Sequence, residues 1–102
     1  MTRTIYIAGK VTGTDRVACA HKFATAEHQL QQQGHQTLNP LRLVGSWDTP
    51  WPQAMRICIA ALATATEAYF LADWQHSRGA RLEHQICLAI GIPIHYQNPP
   101  QT

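Results

Sequence analysis

The sequence predicts an α/β protein, a Rossmann-like three-layer sandwich around a small, mostly parallel four-stranded sheet. Three observations lead there. Four short runs of strand-forming residues recur along the 102 residues. Helix-length segments with apolar periodicity separate them. Connections of that length act as crossovers, which make neighbouring strands parallel.

Taken in order, Ile5-Tyr6-Ile7-Ala8 is the first strand, stopped by Gly9. Residues 14–33 predict a helix, capped by Thr14 or Asp15, with Ala20, Phe23, Ala24 and Leu30 on its apolar face and Gly34 as its stop. His35 to Leu38 is a brief second strand. Asn39 to Pro52 has a loop composition, with Gly45, Ser46, Asp48, Pro50 and Pro52. Pro52 suits the first position of a helix reaching about Ala63, because its missing N–H would be unpaired there anyway. Ala68 to Leu71 is apolar on both faces and predicts a central strand. A last helix runs from about Gly79 to Ile90, with Leu82, Ile86 and Ala89 as its buried face and Gly91 as its stop. Ile92 to Tyr96 closes the sheet, and Pro93, which has no N–H to donate, puts that strand at an edge. Residues 1–97 form one domain and 98–102 a flexible tail.

Composition narrows the function classes. Only 14% of residues are charged and the net charge is +2, with the basic residues scattered, so there is no strong nucleic-acid signal. No apolar run approaches the roughly 20 residues that cross a bilayer, and the start has no signal-peptide core, which predicts no membrane partner. Cys19, Cys58 and Cys87 match no metal or redox spacing, and an odd number opposes a full disulfide framework. A cytoplasmic protein with reduced thiols is the expectation. The six histidines form no H-E-x-x-H pattern or Cys/His cluster, so no metal is expected, and His76 is the one placed to assist proton transfer. A core this small makes a homodimer or higher homo-oligomer the expected state.

Parallel α/β sheets hold ligands beyond the C-terminal strand ends. Three segments converge there: Gly9 to Thr14, Asn39 to Trp51, and Ala72 to Glu83. In the last, Asp73 ends a strand and Glu83 lies in the second turn of the following helix. Glu83 reads either as a surface residue gaining a few tenths of a kcal/mol from helix pairing, or as a carboxylate leaning back into the cleft. Asp73 is either a turn residue or the second member of a carboxylate pair suited to glycosidic chemistry. Ser77 is a helix cap that could also join Arg78, Gly79 and Arg81 in an anion site. Trp47, Trp51 and Trp74 could stack on a heterocyclic base or cover a core edge, and Asp48 could bind a base edge or cap a turn. Tyr6 reads as core, and Gly9 and Gly13 flank K-V-T without forming a nucleotide fingerprint.

Several segments together resemble the nucleoside 2-deoxyribosyltransferase-like family of small bacterial and phage proteins. They are I-Y-I-A-G-K-V-T-G, Q-Q-G-H-Q-T-L-N-P, W-P-Q-A-M-R, W-Q-H-S-R-G-A-R-L-E-H and A-I-G-I-P-I. The resemblance implies a glutamate nucleophile at Glu83, with Tyr6 close to it and Gly9 and Gly13 bordering a sugar pocket. It also implies that Ser77 and Gly79 receive a 5′-phosphate, as in the related nucleotide N-glycoside hydrolases. Departures from the resemblance are Cys58 and Thr66, where members of that family usually have aspartate, and Ala72-Asp73-Trp74, where they tend to have P-G-W. The expected function is cleavage or transfer at the N-glycosidic bond of a (deoxy)nucleoside or nucleoside 5′-monophosphate, without cofactor. The alternative is a non-catalytic nucleotide-binding or protein-interaction accessory protein.

Overall fold

The computed structural model describes residues 2–98. Its elements are β1 (Thr4–Ala8), α1 (Arg16–Gln32), β2 (Gln36–Leu38), α2 (Pro40–Val44), α3 (Trp51–Leu62), β3 (Glu67–Phe70), a 3₁₀ turn (Trp74–His76), α4 (Arg78–Ile90) and β4 (Ile94–Tyr96). Of the tail expected at 98–102, residues 99–102 lie outside the described residues. All strand pairs are parallel, in the order β2-β1-β3-β4. The Rossmann-like α/β fold is therefore observed, with β3 internal and β4 at an edge.

Strand alternation builds the three layers. Ile5 and Ile7 of β1 point to one face and pack with Cys19, Phe23, Ala26 and Leu30 of α1. Tyr6 and Ala8 point to the other, joining Cys58 and Leu62 of α3, Ala80 and Cys87 of α4, and Ala68 and Phe70 of β3. All three cysteines are buried free thiols. Among the described residues, no helix is long and apolar enough to cross a membrane.

Two helix faces differ from the sequence reading. In α1 the buried set is Cys19, Phe23, Ala26, Glu27 and Leu30, while Ala20 and Ala24 are exposed. In α4 the buried set is Gly79, Ala80, Glu83 and Cys87, and Leu82 and Ala89 face outward. Small residues, rather than the larger aliphatics, let α4 lie close against its neighbours. The cost is a carboxylate turned inward.

The 39–52 loop also contains a helix. Asn39 Oδ1 accepts from the Leu41 N–H at 3.0 Å, Pro40 opens the helix, and Gly45 ends it at φ 79°. That left-handed geometry favours glycine. At the other end of the chain's second half, Ser77 caps α4 as expected, its hydroxyl accepting from the Ala80 N–H at 3.1 Å.

From β1 the chain passes over one face through α1 to β2, then over the other through α3 to β3. The strand order thus reverses between β1 and β3, and a crevice opens beyond their C-terminal ends.

Candidate active site

A cleft of about 650 Å³ occupies that crevice. Its walls come from the loop after β1, the α2 segment with the loop that follows it, and the first turns of α3 and α4. Tyr6, Gly9, Gly13, Trp47, Trp51, Ser77, Gly79 and Glu83 all line it. Asp48, Asp73, Trp74, His76 and Arg78 lie outside that lining.

Glu83 comes from the second turn of α4 and is 5% exposed. Tyr6, fully buried on β1, donates its hydroxyl hydrogen to Glu83 Oε2 at 2.5 Å. Burial pushes the Glu83 carboxyl up to about 7, and the Tyr6 hydrogen bond only partly opposes it. The Tyr6 phenol is in turn held well above its usual range by burial and by the Glu83 and Cys58 charges beside it. Burial likewise raises the Cys58 thiol, against a lowering interaction with Tyr6. Cys58, the position at which the family resemblance leads one to expect an aspartate, therefore stands beside the Tyr6–Glu83 pair. Sequence reading noted the exchange but could not place the thiol in the cleft.

The glycines serve close packing and turn geometry. A Cβ on Gly9 would fall 2.7 Å from Leu71 Cδ1, so the chain leaving β1 needs a bare Cα there. Gly13 adopts φ 81°, a left-handed turn position. At Gly79 a Cβ would sit 2.9 Å from Met55 Sδ, so this glycine lets α4 approach α3. The Arg78 guanidinium stacks 4.1 Å from the Trp51 ring centroid instead of reaching the cleft.

Asp73 has a different task from the paired carboxylate first considered. Its Oδ1 accepts from the Lys10 N–H at 3.0 Å, and its Oδ2 meets Lys22 Nζ at 2.5 Å. Lys22 also donates to the Lys10 carbonyl at 2.7 Å. Partial burial pushes the Asp73 carboxyl up, but the Lys22 and Lys10 hydrogen bonds outweigh it and hold it below its usual value. The pair ties the loop after β1 to the end of β3. Asp73→Ala should remove both the backbone acceptor and the ion pair, the latter worth up to about 1 kcal/mol at a partly exposed site. Hydrogen exchange at the Lys10 amide should quicken while the Glu83 titration stays put, and an unchanged Lys10 rate would refute the clamp.

Asp48 extends into solvent and lies 3.6 Å from Arg16, whose guanidinium is 5.6 Å from the Trp47 ring centroid. Trp74 stacks on His84 at 4.2 Å and meets Phe70 edge-on, so it belongs to the core. Sequence reading missed Arg16, Arg42 and Met55 as lining residues. Arg42 is held by the buried Glu27 at 2.8 Å, a pairing across 15 positions that no local pattern announces. No group of three His, Cys, Asp or Glu among the described residues could hold a metal ion.

Fold and cleft define a small, all-parallel α/β protein with a buried carboxylate at the switch point of its sheet. Over residues 3–96 the chain matches the family described as Domain of unknown function (DUF4406), and it belongs to that family. No curated protein and no solved structure matches it.

Proposed function

We propose that this protein cleaves or transfers at the N-glycosidic bond of a (deoxy)nucleoside or nucleoside 5′-monophosphate, with Glu83 as nucleophile. The observation that carries the proposal is the buried Glu83 carboxylate, oriented by Tyr6 and opening onto a cleft of small-molecule size. A carboxylate stripped of water and fixed by one hydrogen bond suits attack on an anomeric carbon. Trp47 and Trp51 offer indole surface for a base. The α4 N-terminus, capped by Ser77, faces the same space and favours an anionic group. In transfer, a second base would attack the glycosyl ester; in hydrolysis, water would.

Cys58 supports the second reading, a protein that binds a nucleotide without turnover, because a buried, protonated thiol stands where the family resemblance leads one to expect an aspartate. Incubation with deoxynucleosides and 5′-monophosphates, with and without an added free base, separates the readings. Base release in water marks a hydrolase and acceptor-dependent exchange a transferase. If active, the enzyme should show a kcat/KM that climbs with pH around a midpoint near 7, as Glu83 ionises. Binding of substrate without either reaction would sink the catalytic reading. The homo-oligomer remains part of the proposal, and Leu88 and Ile90 on the outer side of α4, 67% and 57% exposed, are consistent with a contact between copies.

A further inference from the structure

The chain contains six carboxylates, and five are committed elsewhere. Asp15 caps α1 through the Ala18 N–H at 2.9 Å. Glu27 holds Arg42, Asp48 lies beside Arg16, Glu67 pairs with Arg3, and Asp73 with Lys22. Among the described residues, Glu83 is thus the one carboxylate lining the cleft, and none of the six histidines lines it. The other titratable groups there are Tyr6, Cys58, Arg16 and Arg42. Burial holds the first two protonated at neutral pH, and guanidinium does not release its proton in proteins.

A neutral base leaves an anomeric carbon as an anion unless an acid protonates it. Such general-acid help is worth about 10²–10⁴-fold. Enzymes of this kind divide the labour between two groups, one attacking and one protonating. One carboxylate cannot do both in the same step. Resting on the glycosidic reading above, we propose that the preferred substrates are N-glycosides of bases already carrying positive charge, such as N-alkylated purines or pyridinium rings. The C1′–N bond then breaks as a Glu83 oxygen bonds to C1′. The bonding pair returns to the ring nitrogen, and the base leaves neutral with no proton required. Water next attacks C1′, giving the free sugar hydroxyl, a regenerated Glu83 carboxylate and one proton released to solvent. Trp47 and Trp51 line the cleft. Arg16 and Arg78 each lie over one indole face, at 5.6 and 4.1 Å, but the opposite faces carry the same negative end of the ring quadrupole and suit a cationic ring.

The test compares base release from 7-methylguanosine 5′-monophosphate, nicotinamide mononucleotide and GMP by the purified protein, each corrected for its spontaneous rate. The two cationic compounds should exceed GMP in kcat/KM by about 100-fold or more, the share a missing general acid leaves. Cleavage of GMP within about tenfold of the cationic pair would overturn this inference and leave the glycosidic reading standing. Release from none of them, nor from neutral deoxynucleosides, would overturn both. Cys58→Asp places an acid in the cleft and should narrow the ratio by at least about tenfold by speeding GMP. A folded Cys58→Asp protein with an unchanged ratio counts against the proposal, and the wild-type comparison decides the matter should that variant not fold.

Discussion

Glu83→Gln is expected to stabilise the protein above neutral pH while removing turnover. The folded carboxyl titrates near 7, against a value of 4.5 for the free side chain. Below pH 4.5 the group is protonated in both folded and unfolded chains and costs nothing. Between 4.5 and 7 the folded chain binds more protons, so stability falls as pH rises, and above 7 the loss is complete. A difference of this size corresponds to something on the order of 3 kcal/mol. Glutamine keeps an oxygen to accept the Tyr6 hydroxyl and has no charge to desolvate. Its melting temperature at pH 8.5 should therefore exceed wild type by on the order of 10 °C, with the gap closing toward pH 4.5. The same exchange removes the proposed nucleophile, and kcat should drop by at least about 10³-fold. Melting curves that run parallel across pH would refute the buried-charge account, whereas retained turnover would refute the nucleophile. A residue that weakens the fold and is the proposed nucleophile matches the pattern of a functional site held at a cost in stability.

How far that site could be read from sequence depends on the range of the interactions involved. The strand runs, the Gly34 and Gly91 stops and the Ser77 cap are local signals, and the structure places them as read. Parallel pairing followed from connection length, whereas the order β2-β1-β3-β4 is seen only in the folded sheet. The α2 helix escaped because five residues are too few to show a period, although Asn39-Pro40 and Gly45 carry its start and stop chemistry. The buried face of α4 was misassigned for a physical reason. Hydropathy favours Leu82 and Ala89 beside Ile86, which does pack on the core, but Gly79 and Ala80 permit the closest approach to α3, and that rotates Glu83 inward. Whether Asp73 met substrate or a lysine depended on Lys22, 51 positions away and brought near only by the finished sheet. Cys58 carries no spacing signal, and only the packing of α3 over β1 shows it beside Tyr6.

Phe70→Ala should produce the largest loss of stability in the chain, about 3–5 kcal/mol. Phe70 ends β3, is fully buried, and sits at the centre of an aromatic group. Trp74 and His84 approach it edge-on at 5.4 and 5.3 Å, and Tyr96 of β4 lies at 6.3 Å. His84 also stacks on Trp74, and its Nε2 is 2.7 Å from the Tyr96 hydroxyl. These rings join the sheet edge, the 3₁₀ turn and α4, and they cannot close over the space a phenyl ring leaves, because each is held by the others. Small domains have only about 5–15 kcal/mol of stability to lose. The urea midpoint should consequently collapse with little change in slope, and Phe70→Leu, which refills most of the volume, should recover the greater part. A cost under about 1 kcal/mol for alanine would show that the cluster can relax, contrary to the packing seen. Because His84 follows Glu83 on α4, the same rings fix the rotation of the helix that aims the carboxylate at the cleft. Phe70→Ala should for that reason lower the melting temperature at every pH, unlike Glu83→Gln, whose effect appears only where the carboxyl ionises.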